Sequence, residues 1–447
     1  MTSAAAPDAP GGDKPGSAGA ATPPAPTSRG GKTFRALHHR DFRLFWIGQV
    51  ISNTGTWAQT IAQAWLVLRI TDSPLALGTV TMLQALPVLL LGLFGGVIAD
   101  RFPKRRLLMT TQVGMLVQAL LLGILTLTDT VQLWHVYVLA LSLGVMNALD
   151  NPVRQTLVGE LVPPADLGNA VALNSLSFNT SRLLGPSLGG VTIALIGVAG
   201  CFLLNAASFV AVIAGLLMIR TRPDASTANR RRGAVLSQIA EGFRYVRSTP
   251  DVLSVVILMA AIGCFGYNFQ TILPLIAEYV LNAEPASFGL LTSAMALGSV
   301  GAALLMASRS QVTRRRIYVG AIGFTLLLGT VSFVSSWELL LPLLTLLGAF
   351  SILFGSSVNA YLQMATPPAL RGRVMSIHTL LFLGSTPIGS MIVGTLAEHQ
   401  GVQTAIAQMS GLCMLGVVGG LIYLSRQRGR SSSTTDDGAA KSEAAAA

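Results

Sequence analysis

The chain has 447 residues, 51% of them hydrophobic and only 11% charged, with a mean hydropathy of +0.61. Soluble domains carry about 25% charged residues, so this composition excludes a soluble globular protein and points to a chain that lives in a bilayer. A formal net charge of +11 does not make it a nucleic-acid binder, because the bases fall in short bursts between apolar runs, as charges that set orientation in a membrane do.

Residues 1–33 are rich in Ala, Pro, Gly and Ser. Such a tail cannot bury enough surface to order itself, and it lacks the layout of a signal peptide. Phe34 to Arg43 gives a basic, aromatic approach to the membrane, expected as a short interfacial helix. Twelve apolar runs follow, each near the roughly 20 residues a spanning helix needs: 43–69, 75–99, 107–128, 133–156, 169–196, 198–220, 251–279, 286–308, 315–335, 338–363, 372–397 and 401–425. The expected fold is therefore an all-α polytopic membrane protein with two six-helix halves, 34–220 and 251–425. A polar linker at 221–250 carries Arg230, Arg231 and Arg232, and a tail without structure runs over 426–447.

Loop charges fix the expected orientation. Alternate loops hold Arg101/Lys104/Arg105/Arg106, Arg230/Arg231/Arg232, Arg314/Arg315/Arg316, Arg371/Arg373 and Arg426/Arg428/Arg430, whereas the loops between them hold Asp129, Glu284, Glu338 and Glu398. By the positive-inside rule both termini and the linker are cytoplasmic. Only four of the 30 basic residues are Lys, which with the Ala/Gly/Pro-rich ends indicates a GC-rich bacterial genome and so a bacterial inner membrane. The halves also repeat each other. Pro164-x-x-x-Gly168 returns as Pro368-x-x-x-Gly372, Gly185 and Gly190 return as Gly389 and Gly394, and Asn151-x-x-x-Gln155 returns as Asn359-x-x-x-Gln363. A duplicated unit with its binding site at the repeat interface is a common transporter plan.

Several spans carry polar faces. In the first, Gln49, Asn53, Thr56, Thr60 and Gln63 lie on one helical face, which lipid does not tolerate. The fourth has Asn147, Asn151 and Arg154 with Asp150; the seventh has Tyr267, Asn268, Gln270 and Thr271; the tenth has Ser356, Asn359 and Gln363. These are equivalent helices of a three-helix period, as expected of a central substrate pathway; the alternative is polar glue between helices. Arg182, about 20 Å into the fifth span at 1.5 Å per residue, is the deepest unpaired charge. It is the first candidate for an anionic or polar substrate group, with a structural hydrogen-bond hub as the alternative. Asp150 and Arg154, four apart, can pair. Asp150 is also the best-placed acid for proton exchange, with a latch role as an equal alternative, and His378 could titrate near neutral pH, although a hydrogen-bonded structural histidine is the favoured reading of it. Cys201, Cys264 and Cys413 are far apart in apolar segments and read as small buried hydrophobes. No metal site and no cofactor is expected. GxxxxGK[ST], HExxH and GxSxG are all missing, which argues against a pump driven by ATP or an intramembrane enzyme.

Two motifs carry a resemblance. Gly96-x-x-x-Asp100-Arg101-x-x-Lys104-Arg105 resembles the loop 2–3 signature of the major facilitator superfamily of secondary transporters, with Pro103 where that signature usually has Gly; Pro also suits a turn. Gly185-Pro186-Ser187-Leu188-Gly189-Gly190 resembles the fifth-helix antiporter signature of the superfamily's exporters, in the branch that holds macrolide efflux proteins and the enterobactin exporter. The resemblance implies a monomeric exporter of small amphipathic molecules that exchanges them for protons, with a metabolite importer of the same fold as the alternative. It also implies a cytoplasmic latch, in which Asp150 meets the bases of the loop while Asp100 faces Arg371.

Overall fold

The computed structural model describes residues 34–101, 103–220, 235–307 and 313–446, together with Thr2; for the stretches 92–101, 235–239 and 426–446, and for a few other positions, the description is of the backbone alone. The interfacial helix expected at 34–43 is instead a 3₁₀ turn, Arg35–His38. Its backbone is tied down locally: the Ala36 amide donates to Asn169 Oδ1 at 2.9 Å, and Arg35 and His39 both reach the Asp166 carboxylate at 2.8 Å. These side-chain partners hold the chain more tightly than an amphipathic face on lipid would require.

Helices α1 (Arg40–Thr71), α2 (Pro74–Arg101), α3 (Lys104–Leu127) and α4 (Leu133–Glu160) follow, and then α5 (Leu167–Met218). Two apolar runs are joined within α5. Its arms meet at Gly197, whose φ of 76° lies in the region that favours glycine, so the chain reverses there and crosses back. The linker, expected as a polar connection, contains the amphipathic helix α6 (Val235–Ser248); Arg230, Arg231 and Arg232 lie outside the described residues. The second half comprises α7 (Pro250–Phe265), α8 (Phe269–Leu275) with a π-turn at Ile276–Val280, α9 (Pro285–Ala307), α10 (Arg314–Val331), α11 (Trp337–Ala365), α12 (Pro368–Gly384), α13 (Thr386–Gln400) and α14 (Val402–Ala446). The apolar part of α14 ends at Ser425. Its backbone stays helical to Ala446, where a tail without structure was expected; no proline interrupts the ladder and an alanine run closes it.

Among the described residues nine helical segments are long and apolar enough to cross a membrane, against twelve expected. The shortfall has a physical origin. The segment 164–218 holds two runs joined at Gly197, α1 is diluted by its polar stripe, and α10 opens with three arginines.

One cluster of buried apolar side chains runs through both halves, from Ile61 and Val67 in α1 to Phe324, Phe354 and Met409, and a second packs Phe42, Phe45, Leu157 and Leu216 at the basic end of the first half. The duplicated glycines sit at matching joints. A Cβ on Gly185 would stand 3.0 Å from the Thr54 carbonyl oxygen and 3.4 Å from the Ala58 amide nitrogen of α1. A Cβ on Gly389 would run into the Cys264 carbonyl of α7. Helix α5 thus presses on α1 as α13 presses on α7, which is the sequence repeat expressed as packing. The halves meet chiefly through α2 against α13 and through the first arm of α5 against α9.

Candidate substrate site and gates

The end of the bundle that carries Asp72, Asp129, Glu284 and Glu398 is closed by bonds exchanged between halves. Glu398 of α13 accepts from the Ser73 hydroxyl at 2.8 Å and from the Leu75 amide at 3.2 Å, so it occupies the N-terminus of α2, where a negative charge is favoured. In return Tyr279 donates to Asp72 at 2.8 Å. Deeper in, Thr271 donates to the Thr81 hydroxyl at 3.3 Å, and Ser187 and Ser293 join α5 to α9. A Cβ on Gly289 would lie 2.9 Å from the Ser187 Cα, so the backbones of opposite halves touch at the Gly-Pro-x-x-Gly-Gly segment. A surface cavity of about 440 Å³, lined by Asp72, Tyr279, Glu398 and Gln403, sits over this closure.

Below it the seventh span is broken. Gly266 to Asn268 leave the helical ladder between α7 and α8, and Pro274 cannot supply an amide to the turn that follows. Irregular backbone at this depth is tolerated only where protein or a cavity covers it. Here Asn268 donates to the Cys264 carbonyl at 2.6 Å while its Oδ1 is buried without a partner. Tyr267 donates to the Ser351 carbonyl of α11 at 2.7 Å. Its ring stacks on Phe324 at 5.2 Å and lies 5.2 Å from Phe382, and Phe382 in turn stacks parallel to His378 at 6.1 Å.

Across the gap, Arg182 reaches over the Trp57 ring at 5.9 Å, and Phe178, one turn earlier on α5, meets the same ring edge-on at 6.1 Å. Arg182 is exposed to solvent yet within electrostatic range of Tyr267 in the opposite half, so it faces the space between the halves. Among the described residues it has no hydrogen-bond acceptor and no acid beside it. The hub alternative is therefore not what the structure shows.

The other expected pathway residues fall into three groups, with Thr60 in both the first and the last. Thr60, Gln63 and Gln270 come together with Thr81 and Gln84 around a polar pocket of about 10 Å³, where Gln84 donates to Gln63 at 3.0 Å. Asn151, Gln363 and Arg371 are exposed, Asn147 is half-buried, and Gln363 donates to Asn359 at 2.6 Å. Others serve packing. Gln49 is buried, and Thr56 and Thr60 turn their hydroxyls back onto carbonyls of their own helix, at 2.9 and 3.1 Å.

Asp150 is fully buried. It accepts from Thr111 and Gln112 of α3 at 2.8 Å each and pairs with Arg154, whose other nitrogen donates to Asn53 at 3.1 Å. The expected meeting of Asp150 with the loop bases is not found. Lys104 pairs with Glu160, and Arg105 donates to the Leu217 carbonyl at 2.9 Å, because each is nearer to these acceptors at the ends of α4 and α5. The backbone of Gly96, Asp100 and Arg101 belongs to α2, but their side chains, and so the Asp100–Arg371 contact, lie outside the described residues. Gly185, Pro186, Gly189 and Gly190 are all buried.

A second polar network was missed from sequence. Gln59 of α1 donates to Gln118 of α3 at 3.0 Å, and Asn205 of α5 donates to Gln59 at 2.7 Å. The signal was present: three amide side chains in three apolar spans must satisfy one another.

Residues 31–439 match the family described as transmembrane secretion effector. The chain is 25% identical over 366 residues to a staphyloferrin A transporter of Staphylococcus aureus (strain NCTC 8325 / PS 47), covering 80% of this chain and 91% of that protein. It is 27% identical over 391 residues to the multidrug efflux pump Tap of Mycolicibacterium fortuitum, covering 84% and 94%. Among solved structures, a bacterial homologue of the human lysosomal transporter Spinster, in an inward-facing and unoccupied conformation, superposes with a TM-score of 0.65 at 13% identity, over 89% of this chain and 96% of that one.

Proposed function

The chain belongs to the transmembrane secretion effector family of major facilitator transporters, and on that premise we propose that it exports small amphipathic organic molecules, of the drug, siderophore or secondary-metabolite kind, by alternating access in exchange for protons. It is a membrane transporter of small molecules and not an enzyme. The observation that carries the reading is the asymmetry of the bundle. Carboxylates exchanged between the halves close the acidic end, and a lone arginine with aromatic walls faces the space beneath. Taking the arginine-bearing loops as cytoplasmic, with both termini on that side of a bacterial inner membrane, this is the state that loads substrate from the cell. Rocking of the halves about α2–α13 and α5–α9 would break the outer closure and release the load outside.

For the proton, the Asp150 carboxylate is already committed to Arg154, Thr111 and Gln112, all of which donate to it. His378, half-buried beside Phe382 and with no hydrogen bond among the described residues, is the better candidate. The test is steady-state accumulation of labelled drugs and siderophores in expressing cells. Export lowers accumulation below that of vector controls, and a protonophore restores it. Equal accumulation in both cell lines overturns export, and a deficit that a protonophore leaves intact overturns proton coupling.

A further inference from the structure

We propose that the molecules this site takes are organic anions bearing a planar aromatic group, with Arg182 as the anion anchor, and that lipophilic cations of the same size are discriminated against. The inference rests on the export reading for its direction but not for its binding chemistry. Arg182 opens onto the space between the halves, at a depth in the bundle where something usually neutralises an ionised side chain. Among the described residues nothing does. The acids that could are already engaged: Asp150 with Arg154, Glu160 with Lys104, Asp251 with Arg314, and Asp72 and Glu398 in the outer closure.

A guanidinium left over in this way presents a planar fork of donors that fits a carboxylate, sulfonate or phenolate with two parallel bonds. Trp57 covers one side of it at 5.9 Å, which holds the fork in place through the ring's negative face. The opposite wall is aromatic as well. Tyr267 and Phe382 pack on each other at 5.2 Å between ring centres and are both partly exposed. His378 adds a ring nitrogen that donates in either charge state. A cation meets the reverse: a positive charge, no free carboxylate, and a tryptophan face already occupied by Arg182.

The test uses the full chain in lipid nanodiscs and three isosteric probes in labelled form, with empty discs as background: 2-naphthoate, neutral 2-naphthamide and 2-naphthyltrimethylammonium. The expected order is naphthoate tightest, by about tenfold or more over the amide, as charged hydrogen bonds predict, with the ammonium weakest. Arg182→Gln removes the preference for naphthoate over naphthamide, Arg182→Lys recovers part of it, and a monodisperse size-exclusion profile with a wild-type helical spectrum shows that both variants are folded. Ammonium binding as tight as naphthoate, or a naphthoate affinity indifferent to Arg182→Gln, overturns the proposal. Export fails separately: anion binding that depends on Arg182, without any reduction of naphthoate accumulation in cells, leaves the site chemistry standing and removes the direction.

Discussion

Asp150 shows what a single side chain contributes to this fold. A carboxylate with no solvent contact is costly in a bilayer-embedded bundle, and it persists because the hydroxyl of Thr111, the amide of Gln112 and the guanidinium of Arg154 all donate to it. Asp150→Asn keeps the shape but leaves the Arg154 charge with neutral acceptors alone among the described residues. Removing one member of a buried pair costs about 3–5 kcal/mol, so thermal unfolding of the purified variant is expected well below wild type. The double variant Asp150→Asn/Arg154→Gln, which removes both charges, should regain much of the loss. A single variant as stable as the native protein would show that the pair is dispensable. Half of this constellation was legible in the sequence, since positions four apart on one helix must meet. Thr111 and Gln112 were not, because they join only through the packing of α3 on α4, and nothing along the chain gives the rotation of one helix about another. The same gap explains Lys104, whose partner Glu160 was there to be read but competed with Asp150 as the nearest acid.

Helix joints are set by the absence of side chains as much as by their presence. Gly185 and Gly189 let α5 lie directly on α1, and the Gly-Pro-x-x-Gly-Gly segment was readable as a place of close approach. Which helix approaches it was not, since any backbone fits a glycine groove. The segment turns out to serve two neighbours at once, α1 through Gly189 and α9 through Ser187 and Pro186. Gly189→Ala would set its Cβ 2.9 Å from both the Cα and the carbonyl oxygen of Ala58. Backbone cannot step aside as a flexible side chain can, so a loss of about 1–3 kcal/mol is expected. Gly168 and Gly372, the duplicated pair near the starts of α5 and α12, have no atom within 4 Å of an added Cβ. Alanine there should be neutral or stabilising by about 0.5–1 kcal/mol, through lower backbone entropy in the unfolded chain. Melting curves of the three variants check both signs together. A stable Gly189→Ala would mean that the two helices are free to separate.

Across the whole molecule, the alternation of arginine and acid loops made the spans and their duplication readable. The state of the gates was not readable, because a sequence that supports rocking must stabilise two arrangements with the same residues. What the structure adds is a list of contacts across the shut acidic end that the proposed rocking would have to break. Ser187 and Ser293 are the most useful of these, since their hydroxyls touch across α5 and α9 and cysteines there would fall close to the roughly 3.5–4.5 Å Cβ spacing of a disulfide. In a background lacking Cys201, Cys264 and Cys413, the double variant Ser187→Cys/Ser293→Cys should cross-link under mild oxidation. That cross-link should hold the outer end closed, stop substrate extrusion, and release it again on reduction, while each single variant extrudes normally. Extrusion that continues undiminished with the cross-link fully formed would mean that α5 and α9 stay together throughout the cycle. The halves would then have to part elsewhere, and the reciprocal carboxylates at Asp72 and Glu398 would be a rim contact and not a gate.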